Sequence, residues 1–99
     1  ASMKTTAFLV NTARGGIVDE IALIESLKAR QIAGAALDVT SEEPPSPQHP
    51  IIKAAKELDN LLVTPHCAWT AYETRKRLMD EVAENIVAFQ LGQERNRVV

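Results

Sequence analysis

The chain has 99 residues, 45% of them hydrophobic and 24% charged, and its formal net charge of -2 offers no field for nucleic acid or an anionic membrane. A compact fold of this size hides only about 65% of the surface that its unfolded chain exposes, which allows one small domain. The single Cys67 has no partner for an internal disulfide and suits a reducing compartment; with no apolar run near the ~20 residues of a membrane span and no signal-peptide pattern, a soluble cytoplasmic protein is expected.

Ala1 to Lys4 lead into an apolar run without a cap or a polar arm, so the chain is expected to be a piece of something longer. The run Ala7 to Ala13 (AFLVNTA), bounded by Thr5-Thr6 and by Arg14-Gly15-Gly16, is continuous rather than alternating and predicts a strand covered on both faces. Asp19 is a good N-cap and Glu20 suits the positive end of a helix. Ile21, Leu23, Ile24 and Leu27 then share one face ahead of Lys28 and Arg30, which predicts an amphipathic helix of about three turns. Ala33 to Val39 (AGAALDV) predicts a second covered strand whose small residues let a helix come close.

Thr40 to Pro50 (TSEEPPSPQHP) holds four of the five prolines and can be neither helix interior nor central strand, so it is expected to be loop. A short helix over Ile51 to Leu58 and a third strand over Leu61 to Thr64, ended by Pro65, complete an alternation of strands and helices. Crossovers of this length imply an α/β fold with a parallel sheet and right-handed connections. Thr70 and Glu73 spell a capping box, after which Leu78, Met79, Val82, Ala83, Ile86, Val87 and Phe89 recur at helical spacing up to a stop at Gly92. At 1.5 Å per residue that helix would run about 30 Å, more than three short strands can cover, so part of its apolar face is expected to meet another domain or chain. The tail from Gln93 to Val99 is expected to be extended.

In an open parallel sheet, ligands gather outside the carboxyl ends of the strands. Arg14 follows the first strand, Asp38 ends the second with Glu42 and Glu43 just beyond, and His66 follows the third. Each alone has a plain structural reading: Arg14 as a turn anchor or a partner for Asp38, Glu42 and Glu43 as solvated loop charges, His66 as a hydrogen-bonded structural histidine. His49, between Gln48 and Pro50, reads as surface. Together the three strand ends point to chemistry. An arginine grips a carboxylate or carbonyl bidentately, and a histidine held by a carboxylate has its charged form stabilised and its tautomer fixed. Such a set can protonate a carbonyl oxygen as hydride arrives at carbon, or run the reverse.

The strings FLVNTARGGIVDE, IAGAALDVTSEEP and LLVTPHCAW resemble the C-terminal signatures of the NAD-dependent D-isomer-specific 2-hydroxyacid dehydrogenases, with details nearest the glycerate dehydrogenase or hydroxypyruvate reductase group. The resemblance covers essentially the whole chain, and three motifs in order make it specific. It implies that residues 1–69 are the C-terminal half of a Rossmann-type NAD(P)-binding domain, 70–92 a long returning helix and 93–99 a tail. It also implies that Arg14 binds substrate, that His66 is the general acid/base and binds substrate, and that Glu43 is the carboxylate paired with it. Asp38 would face the nicotinamide carboxamide. Thr12, Ala13, Arg14, and the stretch His66, Cys67, Ala68 and Trp69 would line the nicotinamide end of NAD or NADP. Glu42 has no role in the resemblance, and no metal is implied. The full-length protein would be a homodimer acting on a small 2-keto or 2-hydroxy acid such as hydroxypyruvate or glyoxylate.

Arg30 stands where the family often ends this helix with glycine, which would strain the turn. Thr40 replaces a frequent aromatic, Cys67 a frequent isoleucine, and Trp69 borders the substrate pocket or packs on the long helix. No GxGxxG turn or following acidic residue occurs, so the pyrophosphate and adenosine sites would lie in other sequence. By itself the chain is expected to lack activity and to self-associate through its strand edges and long helix. Two other readings are a non-catalytic, corepressor-like nucleotide sensor of the same fold and a structural remnant with no ligand.

Overall fold

Three short apolar segments, β1 (Phe8–Asn11), β2 (Gly34–Leu37) and β3 (Leu61–Val63), pair in parallel in the order β1-β2-β3. The computed structural model describes residues 3–98, so Ala1, Ser2 and Val99 lie outside the described residues. Between the strands run a 3-10 turn (Gly15–Ile17), α1 (Glu20–Lys28) and α2 (Pro50–Glu57), and α3 (Tyr72–Gln90) follows. The chain divides into two compact units, Ala1–Cys67 and Ala68–Val99.

In the first unit α1 and α2 pack on one face of the sheet. Leu23, Ile24 and Leu27 of α1, Ile51 and Ala54 of α2, and Ala35, Leu37 and Leu61 of the strands form the core together with Ile32. Leu27 and Ile51 are 0% exposed, and each contributes about 1.5–3 kcal/mol by leaving water. Ile21, expected on this face, is instead 55% exposed. Asp19 caps α1 as expected, its Oδ1 accepting the Ala22 N–H at 3.0 Å. α1 ends in a reversed turn in which the Gln31 N–H reaches Ser26 O and the Arg30 N–H reaches Leu27 O. That motif puts Arg30 in the left-handed region (φ 53), the strain anticipated for a non-glycine residue there. Arg30 Nη2 meets Asp59 Oδ1 at 2.8 Å. α2 begins one residue earlier than expected because Pro50 takes the first helical position, where its missing N–H costs nothing.

Two expectations about the strands need correction. Each strand is shorter than its apolar run, since the run-ends turn into the loops that carry the polar residues. The strands are also covered on one face only. In register, Val10, Ala36 and Leu62 lie side by side on the opposite face, and Phe8 (71%), Val10 (68%) and Leu62 (59%) are exposed. Both crossovers put their helices on the same side, so this chain holds nothing to cover the second face among the described elements of its first unit.

The second unit is dominated by α3, whose 19 residues span about 28 Å. Ala71 occupies its capping position without a side-chain cap bond, so the helix starts beyond the predicted Thr70–Glu73 box. Ala88 is the buried residue of α3, while Leu78, Met79, Ile86 and Phe89 are all more than half exposed. Gly92 (φ 66) closes the helix, with its N–H on Phe89 O and the Gln93 N–H on Ala88 O. Within the described residues 93–98 the expected extended tail instead folds back after Gly92: Arg95 binds both Glu81 and Glu84, and Asn96 Nδ2 reaches Asn85 Oδ1 at 3.1 Å, while Val99 lies outside the described residues. An acidic pair one turn apart on α3 draws the arginine inward. No described helix is long and apolar enough to cross a membrane.

Candidate active site

Parallel strands end on one side, so the loops after β1, β2 and β3 gather at one edge of the first unit. Asn11, the last residue of β1, is 6% exposed and ties its loop down: its Nδ2 donates to Arg14 O at 2.9 Å and its Oδ1 accepts from the Ala13 N–H at 3.1 Å. Arg14 therefore leaves the strand in a fixed turn with its side chain exposed and Nη1 donating to Ala13 O at 2.7 Å. Thr12 and Ala13 are exposed beside it. The turn rests directly on the next loop, because a Cβ on Gly15 would lie 2.0 Å from Thr40 O. Only glycine permits that approach.

At the end of β2, Asp38 is 5% exposed and binds the loop after β3. Its Oδ1 accepts from Thr64 Oγ1 and from the Cys67 N–H at 2.9 Å. Thr40, also buried, organises the residues that follow. Its hydroxyl donates to Glu42 O at 2.6 Å and its N–H donates to Glu43 Oε1 at 3.1 Å. The Glu43–Pro44 peptide is cis. Glu42 contributes its backbone to this turn, and its side chain is exposed.

After β3, Pro65 blocks further pairing and His66 adopts φ 53, its N–H returning to Thr64 O at 3.0 Å. Histidine tolerates this region better than branched residues do. The reversal brings His66 Nδ1 to 2.8 Å from Glu43 Oε2, joining residues 23 positions apart. Both side chains are partly exposed, at 40% and 38%. The Glu43 carboxyl is held below its ordinary value, first by the His66 hydrogen bond and then by the Thr40 N–H. Desolvation opposes them, and the charges of His66 and Arg14 add to the lowering. His66 and Glu43, with Asp38, Thr64 and the apolar Ile52 and Val63, line a groove of about 520 Å³. Cys67 closes the first unit; Ala68 and Trp69 open the second, where Trp69 is 51% exposed.

Several residues that shape this edge gave no sequence signal. Asn11 looked like part of an apolar strand, Thr40 like the first residue of a loop, and Thr64 like the end of a strand. Glu20 looked like a helix-end charge but is buried, and His49, expected at the surface, has a side chain only 12% exposed beside it. A buried polar residue at a strand end is the cue that would have found Asn11. No cluster of metal-ligating side chains occurs among the described residues.

Comparison with known proteins agrees with this geometry. Residues 1–68 match the family model described as D-isomer specific 2-hydroxyacid dehydrogenase, NAD binding domain. The chain is 46% identical over 96 residues to a glycerate dehydrogenase of Methylorubrum extorquens, covering 97% of this chain and 30% of that protein. It is 48% identical over 91 residues to a glyoxylate reductase of Korarchaeum cryptofilum, covering 92% and 26%. Among solved structures it is similar to a D-lactate dehydrogenase with NAD+ from Lactobacillus jensenii, with a TM-score of 0.68, 33% identity, and coverage of 100% of this chain and 32% of that one. The chain thus spans about a third or less of the length of these relatives. Its parallel sheet, its three strand-end motifs and the match across residues 1–68 lead to one conclusion: the chain belongs to the D-isomer specific 2-hydroxyacid dehydrogenase family, in its NAD-binding domain.

Proposed function

We propose that the protein carrying this chain is an oxidoreductase that interconverts a short 2-keto acid, hydroxypyruvate or glyoxylate, with the D-2-hydroxy acid. The observation that carries the reading is the 2.8 Å bond between His66 Nδ1 and Glu43 Oε2 at the carboxyl edge of the sheet. That bond fixes the ring by its Nδ1 side, so proton transfer to the substrate oxygen runs through Nε2. Glu43, ionised to lower pH than usual, stabilises the imidazolium that donates the proton. Arg14, exposed on a turn pinned by Asn11, presents its fork to the substrate carboxylate.

The residues present fit one end of a nicotinamide dinucleotide. Asp38 is a buried side chain whose orientation is set by Thr64 and Cys67, and its carboxyl oxygens accept hydrogen bonds, which suits a carboxamide NH2. Thr12, Ala13, His66 and Cys67 would line the same end. The four glycines, at 15, 16, 34 and 92, form no GxGxxG turn, so a pyrophosphate cradle is to be sought elsewhere in the protein. When bound, the cofactor supplies or accepts the hydride.

A nucleotide sensor without catalysis has no use for a histidine oriented by a carboxylate, so that alternative is not favoured. The single cysteine suits a cytoplasmic enzyme, and the exposed apolar residues of α3 and of the open sheet face suit a homodimer. The test is keto-acid-dependent NADH or NADPH oxidation by the full-length protein. His66→Gln should lower kcat by about 10²–10⁴-fold. Arg14→Lys should lower kcat/KM, because an ammonium cannot reproduce the fork. Full activity in His66→Gln would refute the assignment.

A further inference from the structure

Glu20 is an unusual first-turn residue. An acid at a helix N-terminus normally stays in water and interacts with the positive helix end at a distance. Glu20 is only 7% exposed, and Asp19 already supplies the cap. Burying a carboxylate is unfavourable unless its oxygens are engaged. Here both oxygens bind one loop residue: Oε1 accepts the Ser41 N–H at 2.7 Å, and Oε2 accepts the Ser41 hydroxyl at 2.8 Å. His49 Nε2 stands 3.4 Å from the same hydroxyl and closes its other side.

Ser41 lies between Thr40, whose N–H holds Glu43 Oε1, and the Glu43 carboxylate that receives His66 Nδ1. Ser41 is otherwise exposed, in a loop whose prolines give it no ladder of backbone bonds. The two bonds from Glu20 therefore anchor the start of the turn to α1, an element packed into the core through Leu23 and Leu27.

We propose that Glu20 is a positioning residue for the Glu43–His66 pair: it grips Ser41, and through Ser41 it holds the turn that aims the Glu43 carboxylate at His66 Nδ1. This rests on the roles of Glu43 and His66 proposed above. Loosening the grip lets the Glu43 carboxylate drift, and the ring loses the bond that selects its tautomer. A misplacement approaching 1 Å in a reacting group costs up to about 10²-fold in rate, so a partial release should cost about tenfold.

The test uses the full-length protein with ¹⁵N-labelled histidine, reading the His66 ring nitrogens by NMR beside steady-state kinetics. In Glu20→Ala, kcat should fall about tenfold with KM little changed, and His66 should lose its single-tautomer pattern. Glu20→Gln keeps an acceptor for the Ser41 N–H and should restore most of both. Ser41→Ala, which removes only the hydroxyl, should show the same effects more weakly and serves if Glu20→Ala does not fold. If the variants only melt earlier, with kcat and the His66 pattern intact, Glu20 is structural and the proposal is overturned. If Glu43→Gln keeps full kcat, the catalytic reading is what fails, and the His66 spectra of the Glu20 variants still decide whether Glu20 positions the pair.

Discussion

Replacing Gly15 with alanine should separate the two loops that carry Arg14 and Glu43. The added Cβ would stand 2.0 Å from Thr40 O and 2.1 Å from Thr40 C, whereas real Cβ atoms essentially never come within 3.0 Å of such neighbours. Both offending atoms are backbone, so no side chain can rotate away and the turns must part by about 1 Å. Overpacking of this kind costs roughly 1–3 kcal/mol in stability. A shift of that size between the proposed substrate clamp and acid/base pair should cost up to about 10²-fold in kcat/KM. Gly16→Ala is the control, since a Cβ there meets nothing within 4 Å, and its stability should change by no more than about 0.5 kcal/mol. Urea melts and keto-acid reduction rates on the two variants decide the matter. Equal stability and equal turnover in Gly15→Ala would mean that the loops do not touch as described.

Three further outcomes are expected. The Glu43 carboxyl carbon should titrate below the ordinary glutamate range by NMR, and His66→Asn, which removes the largest cause, should bring it back up. Because the folded-state value is depressed, the contribution of this pair to stability is complete above the unfolded value and disappears as pH falls through the folded one. At the end of α1, Arg30→Gly and Arg30→Ala both lose the ion pair with Asp59, but only glycine relieves φ 53, so the glycine variant should be the more stable by about 0.5–1 kcal/mol in urea melts. Leu27→Ala, at a site 0% exposed, should lose about 2–5 kcal/mol, while Ile21→Ala, at 55% exposure, should lose far less.

What the amino-acid order determines by itself is local. Continuous apolar runs, the Asp19 cap, the proline-dense loop and Pro65 specify the sequence of elements, and short-range physics is enough to place them. The gathering of polar strand ends was legible for a related reason: parallel strands all finish on one side, so Arg14, the carboxylates Asp38, Glu42 and Glu43, and His66 had to share an edge once the alternation was recognised, while only the family resemblance singled out Glu43. Their register was not. The bond between His66 and Glu43 depends on the left-handed turn at His66 and on the Thr40 N–H, neither of which has a spacing rule. Burial of Glu20 beside Ser41 and His49 joins residues 21 and more positions apart, and such a carboxylate has the same sequence signature as a solvated one. The open sheet face shows the converse. Phe8, Val10 and Leu62 are as apolar as strands covered on both sides require, yet α1 and α2 reach only one face, because two right-handed crossovers in the same direction must lie on the same side.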